Sequence, residues 1–328
     1  MGAIKNVLMP GRIFITKLFG SSDLTAAMIL LLMCAIMTYL SPFFLKLTNL
    51  MNILRQISII GIVAVGQQML LVTGCVDLTV GIGMGLSGII CAMLIEAGLP
   101  AVPALILTLI CGMAVGAFNG IIVTTFRTIP FITTLGTMSI VRGLSLLVSA
   151  GQPIRFDSSI NFMGNGFIMG VLPVSAVIMV ALVIIGHIFA QRTTFGRNMY
   201  AVGNNDKSAT LTGISVMKVR MIAYMLTGML VSISGVIIAG NTMRADPAGG
   251  FGMELEIVVA CVIGGASLYG GGGTILGALI GAMIMGVLRN AFILLGVAQY
   301  WQTMSIGILL ILLVYVDVLR RKGAGEKV

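Results

Sequence analysis

The sequence is poor in charged residues. They make up only 9% of its 328 residues, whereas 58% are hydrophobic. Soluble domains carry about 25% charged residues. A chain of this length in water would expose far more apolar surface than it could bury. The composition therefore indicates a protein whose solvent is lipid.

The residue patterns that most enzymes need are also missing. No Gly-Lys dipeptide occurs, which excludes a phosphate-binding P-loop. The only histidine is His187, so a two-histidine zinc site cannot form. The five cysteines are irregularly spaced in apolar segments and indicate neither a disulfide framework nor a metal site. We therefore expect no metal and no cofactor on this chain, and an enzyme acting inside the membrane is disfavoured.

Long uncharged runs predict membrane-spanning helices, each of which needs about 20 residues. The Gly270–Gly273 run divides one long apolar stretch into two helices. The predicted fold is an all-α integral membrane protein of about ten transmembrane helices. The apolar runs are 24–45, 56–76, 78–95, 97–126, the run after Arg127, 158–190, 221–243, the two halves of 257–288, and 291–316.

The distribution of lysine and arginine predicts the orientation in the membrane. With an even number of helices and both termini inside, most of these residues fall in cytoplasmic segments, as the positive-inside rule requires. The predicted cytoplasmic parts of this single domain, 1–328, are an N-terminal tail at 1–22, a loop at 191–220 and a C-terminal tail at 319–328. The net charge of +9 therefore reflects topology and does not indicate nucleic-acid binding.

Two helices carry glycines four residues apart, in 112–120 and 273–281. Such faces let helix backbones approach closely in lipid. They belong to the fourth and ninth predicted helices, and Asn119 and Asn290 lie beside or after them. The odd offset of five predicts an inverted repeat that relates helices 2–5 to helices 7–10. Static packing of each helix is the alternative.

A few polar residues interrupt the predicted spans, where an exposed polar group is costly. Asp77 either lines a path or caps the helix that begins at Leu78, and Arg142 either pairs with Asp77 or faces a cavity. The candidate residues of a translocation path are Gln67, Gln68, Asp77, Thr133, Thr134 and Arg142.

A polar stretch, YAVGNNDKSATLTGIS at 200–215, lies between the sixth and seventh predicted helices. Asn205 is a favourable N-cap, Asp206 lies in the first turn and Gly213 suits the position after the helix. The pattern predicts a helix of about two turns displayed to the cytosol. Such a helix is either a docking element or part of an ordinary connecting loop.

Four segments resemble the permease subunits of bacterial ABC importers for ribose, galactose, arabinose and related compounds. They are TTFGRNMYAVGNNDKSATLTGI, VTGCVDLTVG, PFITTLGTM and VIGGASLYGGGGTILGALIG, and the similarity spans nearly the whole chain in order. In this family the loop helix couples to a separate ATPase, and Ala209 is expected to fit a groove on that partner. By resemblance the coupling residues are Asn205, Asp206, Ser208, Ala209, Leu211, Gly213 and Ile214.

The resemblance implies an inner-membrane permease that forms half of a pore for a monosaccharide-like solute. The implied partners are a cytoplasmic ATP-binding subunit that carries ATP and Mg²⁺, a periplasmic sugar-binding protein, a second permease chain and membrane lipid. No nucleic acid is implied. The alternative is a secondary transporter driven by an ion gradient, which needs an ion site near the midplane. Asp77 is the main acidic candidate for that site.

Overall fold

The computed structural model describes residues 21–323, and almost all of this part of the chain is helical or in short turns. The helices are α1 (Ser21–Leu40), α2 (Leu47–Val72), α3 (Val80–Glu96), α4 (Ala101–Thr125), α5 (Pro130–Val148), α6 (Phe162–Asn165), α7 (Val174–Arg192), α8 (Thr194–Asn204), α9 (Asp206–Leu211), α10 (Val216–Thr242), α11 (Met253–Ile263), α12 (Ile275–Leu294) and α13 (Gln299–Gly323). A 3₁₀ turn covers Ser159–Asn161. Two antiparallel pairs join β1 (Ile154–Arg155) to β4 (Arg244–Ala245) and β2 (Phe167–Ile168) to β3 (Leu172–Pro173).

The ten predicted apolar segments correspond to α1–α5, α7 and α10–α13. Within the described residues, eight helices are long and apolar enough to cross a membrane. Two of the ten helices are shorter than the others, because α3 has 17 residues and α11 only 11. At 1.5 Å per residue they measure about 26 and 17 Å, less than the ~30 Å of a hydrocarbon core. Each is a partial span joined to non-helical chain.

The predicted tails lie partly outside the described residues. The apolar, membrane-length part of α13 ends at Val318, and the helix continues to Gly323 into the tail predicted from 319. Residues 1–20 and 324–328 lie outside the described part, and with them most of the predicted N-terminal tail and the end of the C-terminal one. The predicted loop at 191–220 contains the end of α7, all of α8 and α9, and the first turn of α10.

The centre of the fold is formed by α2 and α10, which contact each other and most of the other long helices. The second half of α2, from Ile57 to Val72, is almost entirely buried. Tyr224 on α10 is fully buried, and its hydroxyl donates to the carbonyl oxygen of Val76 at 3.1 Å. A buried tyrosine hydroxyl needs such a partner. These two helices therefore position the chain that follows α2.

The two glycine faces pack against neighbouring helices, as the spacing predicts. On α4, a Cβ atom at Gly116 would lie 2.8 Å from the carbonyl carbon of Tyr224 on α10. On α12, a Cβ atom at Gly281 would lie 2.7 Å from the carbonyl carbon of Ala260 on α11. Both backbones are thus too close for any side chain. The two packing partners are not equivalent in the predicted repeat. The glycine face of α4 packs on α10, the seventh predicted helix, whereas that of α12 packs on α11, the eighth.

A non-helical segment, here called a break, precedes each of the partial spans α3 and α11. The two breaks are similar, and they support the predicted repeat. After α2, Gly74 has a φ of +74°, and after α10, Met243 has a φ of +50°. Asp77 and Asp246 each follow three residues later. One oxygen of each carboxylate accepts the backbone N–H two residues further on, at 2.8 and 2.9 Å. The same turn thus lies between helices 2 and 3 and between helices 7 and 8. The inverted orientation of the halves stays a prediction.

Candidate functional site

The helix predicted in the polar stretch exists as α9. The side chain of Asn205 accepts the N–H of Ser208 at 2.9 Å, which confirms the predicted N-cap. Gly213 has a φ of +85°, and the N–H of Ile214 donates to the carbonyl of Ala209 at 3.0 Å. This is the left-handed helix end for which glycine is favoured. The caps predicted from the sequence are therefore correct at both ends.

The exposure of the α9 side chains divides the predicted coupling residues into two groups. Ala209 is 4% exposed and packs into this chain's own core, whereas Leu211 is 89% exposed. The Ala209 side chain points into this chain and not toward a partner, so the expectation that it fits a partner groove is wrong. Leu211 is the apolar side chain that α9 presents outward. The other exposed members of the predicted set are Asn205, Asp206, Ser208 and Gly213, and Ile214 is half-buried.

The preceding helix, α8, was not predicted. Its N-cap is Thr193, whose side chain accepts the N–H of Gly196 at 3.1 Å, and its buried face includes Met199 and Val202. The threonine and the three-residue spacing of the two apolar side chains were the available signals. Because α8 packs on α2 and α7, it attaches the polar loop to the membrane helices.

The hydroxyl of Tyr200 on α8 donates to the carbonyl of Gly273, at the glycine-rich turn before α12, at 2.9 Å. Burial raises the pKa of Tyr200, and the nearby charge of Asp23 adds to the increase. The hydroxyl therefore remains a donor at neutral pH. This bond ties the polar loop to the turn that the sequence predicted at Gly270–Gly273.

Asp77 lies in the break between α2 and α3 and is buried. Its carboxylate accepts the N–H and hydroxyl of Thr79, and the Asn119 amide lies 3.3 and 3.4 Å from its two oxygens. These bonds close the turn before α3, which begins at Val80 with Thr79 as its N-cap and has no side-chain cap, so Asp77 does not cap a helix that begins at Leu78. Its place on a path stays a prediction. Asn119 was not among the predicted site residues, and its place beside the last glycine of α4 was the only signal.

The two glutamines of α2 are fully buried, and each contacts a non-helical segment: the break with Asp77 or the glycine-rich turn before α12. In the amide orientation that satisfies both groups, Gln67 donates to the backbone oxygen of Asp77 at 3.2 Å and accepts its N–H at 3.3 Å. Gln68 donates to the carbonyl of Gly272 at 3.4 Å. Both side chains therefore face protein, as their cost in lipid requires. Whether either meets a solute stays a prediction.

The remaining path candidates lie on α5. Thr134 is buried and donates to the carbonyl of Pro130 at 3.0 Å, and Thr133 is half-buried with its hydroxyl 2.7 Å from that of Thr128. Arg142 is exposed, and its guanidinium carbon lies 4.7 Å from the centre of the Phe251 ring. Arg142 therefore stacks on an aromatic ring and does not pair with Asp77.

Exposed small residues surround Arg142 on α5. A Cβ atom at Gly136 or Gly143 would have no described atom within 4 Å, and Ser139 between them is also exposed. An arginine facing hydrocarbon is costly, so such residues usually face protein or water. Arg142 thus makes this part of α5 costly to expose to lipid alone, although exposed apolar side chains such as Ile140 and Leu144 lie on the same helix.

A cavity of about 350 Å³ lies next to this helix. It is bounded by Gly74–Val76 and Leu78 in the break after α2 and by Pro130 and Phe131 at the start of α5. Leu255 on α11 and Leu310 on α13 line the other side. The cavity is mostly apolar. The break that contains Asp77 therefore borders a space between α5, α11 and α13. Within residues 21–323, no group of three or more His, Cys, Asp or Glu side chains is placed to hold a metal ion.

Apolar helices of membrane length, two partial spans and a short capped helix displayed by a polar loop define a multi-pass membrane protein. The chain belongs to the family described as branched-chain amino acid transport system, permease component, whose model matches residues 49–314. The family is one of translocation components and not of enzymes.

Relatives of known name share most of this chain's length. The chain is 38% identical over 298 residues to the ribose import permease RbsC of Bacillus subtilis, covering 90% of this chain and 92% of the relative. It is 35% identical over 311 residues to the galactose/methyl galactoside import permease MglC of Salmonella typhimurium, covering 89% and 93%. It is 34% identical over 296 residues to the L-arabinose ABC transporter permease AraH of Azospirillum brasilense, covering 90% and 87%. No solved structure matches the chain.

These comparisons confirm the family that the four sequence segments indicated. They also confirm that the chain is a transmembrane permease subunit of an importer. The break with Asp77 and the α9 loop are the described features from which the mechanism of such a subunit can be argued.

Proposed function

We propose that this chain forms half of the pore of an ATP-driven importer that carries a monosaccharide-like solute into the cytoplasm. The single observation that carries the proposal is α9, a short helix capped at both ends that presents the exposed Leu211. Capping makes the helix rigid without further partners, so its outward surface is available for another protein. A sugar cargo is proposed because the named relatives import ribose, galactose and arabinose.

In this proposal α9 docks on a separate cytoplasmic ATPase, which carries ATP and Mg²⁺. The chain lacks a Gly-Lys dipeptide and hence a P-loop of its own, so the nucleotide chemistry belongs on that partner. Leu211 provides apolar contact area, and Asp206 and Ser208 provide polar contacts at the rim. A central apolar residue with polar neighbours is the usual arrangement of a small interface.

The other half of the pore is proposed to come from a second permease chain, which covers the α5 face. Arg142, Gly136 and Gly143 lie there with open space around them. A second chain or the aqueous path between two chains removes the arginine from lipid. A periplasmic sugar-binding protein delivers the solute on the opposite side of the inner membrane from α9. Both termini are then cytoplasmic.

The docking proposal is tested by Leu211→Glu. The variant places a charge at the centre of the proposed contact without changing either cap of α9. We expect normal membrane insertion and loss of the co-purifying ATPase, because a buried unpaired charge is strongly unfavourable in an interface. The measurement is recovery of the cognate ATPase on the affinity-tagged permease after detergent extraction.

The matched control is Met169→Glu. Met169 is also a highly exposed apolar side chain, but it lies in the turn between β2 and β3, at the proposed external end. This variant should retain the ATPase. If Leu211→Glu bound the ATPase as well as Met169→Glu does, α9 would be a connector and the docking proposal would be wrong.

A further inference from the structure

We infer that Arg220 is a positioning residue that links the coupling helix to the break containing Asp77, so that movement of α9 reaches the membrane interior through this side chain. The inference rests on the proposed docking of α9 on an ATPase. It adds the route by which that contact changes the permease. Arg220 lies in the first turns of α10, immediately after the α9 loop.

The guanidinium group of Arg220 contacts both partners at once. Its Nε and Nη2 atoms donate to the carbonyl oxygen of Thr73 at 3.3 and 3.2 Å. Nη2 also lies 3.8 Å from Oδ2 of Asp206, in the first turn of α9. Arginine is suited to this bridge because its donors form a fixed planar fork. The contact with Thr73 joins residues 147 positions apart in the chain.

Thr73 is a sensitive point because it is the residue at which α2 ends and the break begins. Its N–H still bonds to the carbonyl of Leu70, whereas its own carbonyl points beyond the helix and takes Arg220 as its donor. The four residues that follow lead to Asp77. A shift of the Thr73 carbonyl therefore changes the path of the chain that carries the buried carboxylate.

A second side chain of α10 holds the same break. Tyr224, one turn after Arg220, donates to the carbonyl of Val76 at 3.1 Å. The first turns of α10 thus bind the break at two carbonyls, those of Thr73 and Val76, and Gln67 of α2 holds the backbone of Asp77. Of these contacts, only that of Arg220 also includes a residue of α9. Arg220 is therefore the described side chain through which α9 and the break are bonded to each other.

A purely structural role is the alternative. A cation near the C-terminus of α2 stabilises its last carbonyls and its dipole, whatever α9 does. The Asp206 carboxylate is 52% exposed and the Arg220 side chain 23% exposed, so their ion pair contributes little to stability. Arg220→Lys separates the two roles. It keeps the charge near the end of α2 but lacks the planar fork through which Nε and Nη2 both donate to the Thr73 carbonyl while Nη2 faces Asp206.

The test uses the native Cys75, which is buried in the break, as the reporter. A full-length permease with the other four cysteines changed to alanine is reconstituted in vesicles with its cognate ATPase. The rate at which an aqueous maleimide labels Cys75 is measured with and without a non-hydrolysable ATP analogue. This readout needs no knowledge of the transported solute.

In the permease with Arg220 intact we expect the analogue to change the labelling rate. In Arg220→Lys and Arg220→Gln we expect the ATPase to co-purify as before and the nucleotide-dependent change to be lost. The matched control is Lys218→Gln, because Lys218 is an exposed cation of the same helix turn, and its side chain makes no hydrogen bond or ion pair with the described residues. This control should keep the full change.

Each other result is decisive. If Arg220→Lys kept the nucleotide-dependent change, the structural role would be sufficient and the inference would be wrong. An unchanged rate in the Arg220-intact permease with the ATPase bound would also overturn the inference, whereas failure of that permease to bind the ATPase would overturn the proposed function. If the Arg220 variants did not fold, Asp206→Asn would replace them, since it leaves the Thr73 contact in place and must weaken the response per ATPase bound, with ATPase recovery measured alongside because Asp206 also lies in the proposed docking surface.

Discussion

The contact between α4 and α10 is the closest helix packing that the glycine spacing predicted, and Gly116→Ala tests it. A Cβ atom at this position would lie 2.8 Å from the carbonyl carbon of Tyr224, and closer still to its oxygen. Ordinary contacts begin at 3.4 Å. The two backbones must therefore separate by at least about 0.6 Å. The close packing of α10 against other helices opposes such a shift.

The expected cost follows from this overlap. Overpacking of a well-packed interior costs about 1–3 kcal/mol. The gain in helix propensity from glycine to alanine, about 1 kcal/mol, offsets part of it. At Gly136, in the exposed face of α5, the same substitution meets no described atom within 4 Å, so only the gain remains. The two variants should then differ by about 1–3 kcal/mol in unfolding free energy.

The assay is thermal unfolding of the detergent-extracted permease, followed by the loss of the monodisperse peak in fluorescence-detected gel filtration. With about 2 °C per kcal/mol for a chain of this size, the midpoint of Gly116→Ala should lie about 2–6 °C below that of Gly136→Ala. Gly136→Ala should equal or exceed the wild type. Equal midpoints for the two variants would refute the close packing of α4 on α10.

Three further substitutions test individual parts of the site. Asn119→Ala removes an amide donor from the buried carboxylate of Asp77 and should lower the unfolding free energy by about 1–3 kcal/mol, and an unchanged thermal midpoint would contradict the contact. Asn205→Ala removes the α9 cap at a cost of about 1 kcal/mol and should partly reduce uptake. Ser215→Ala removes the cap of α10 instead and should leave ATPase recovery unchanged. Ala209→Glu should reduce the amount of folded permease in the membrane because Ala209 is buried, and normal abundance would contradict that burial.

The features that could be predicted from the sequence are those set by local or one-dimensional rules. The apolar runs, the turn at Gly270–Gly273 and the glycine faces follow from the requirements of a chain in lipid. The caps of α9 depend on a few adjacent residues, so Asn205 and Gly213 were sufficient to predict them.

What could not be predicted depends on contacts between distant segments. An apolar run does not reveal where a break such as that at 73–79 enters the membrane domain, so the short lengths of α3 and α11 could not be predicted. The inward orientation of Ala209 is set by α8 and α10, against which α9 packs. The bridge from Arg220 to Thr73 exists only because α10 crosses the end of α2.

The energy source of transport is the most direct test of the account. Permease, ATPase and binding protein are reconstituted in vesicles, and uptake of radiolabelled ribose, galactose and arabinose is measured after ionophores have collapsed the ion gradients. The account predicts that uptake of the carried sugar continues when ATP is supplied on the side of the vesicle membrane that carries α9. Uptake should stop when ATP is withdrawn. Uptake that follows an imposed ion gradient without ATP would contradict it and would favour a secondary transporter.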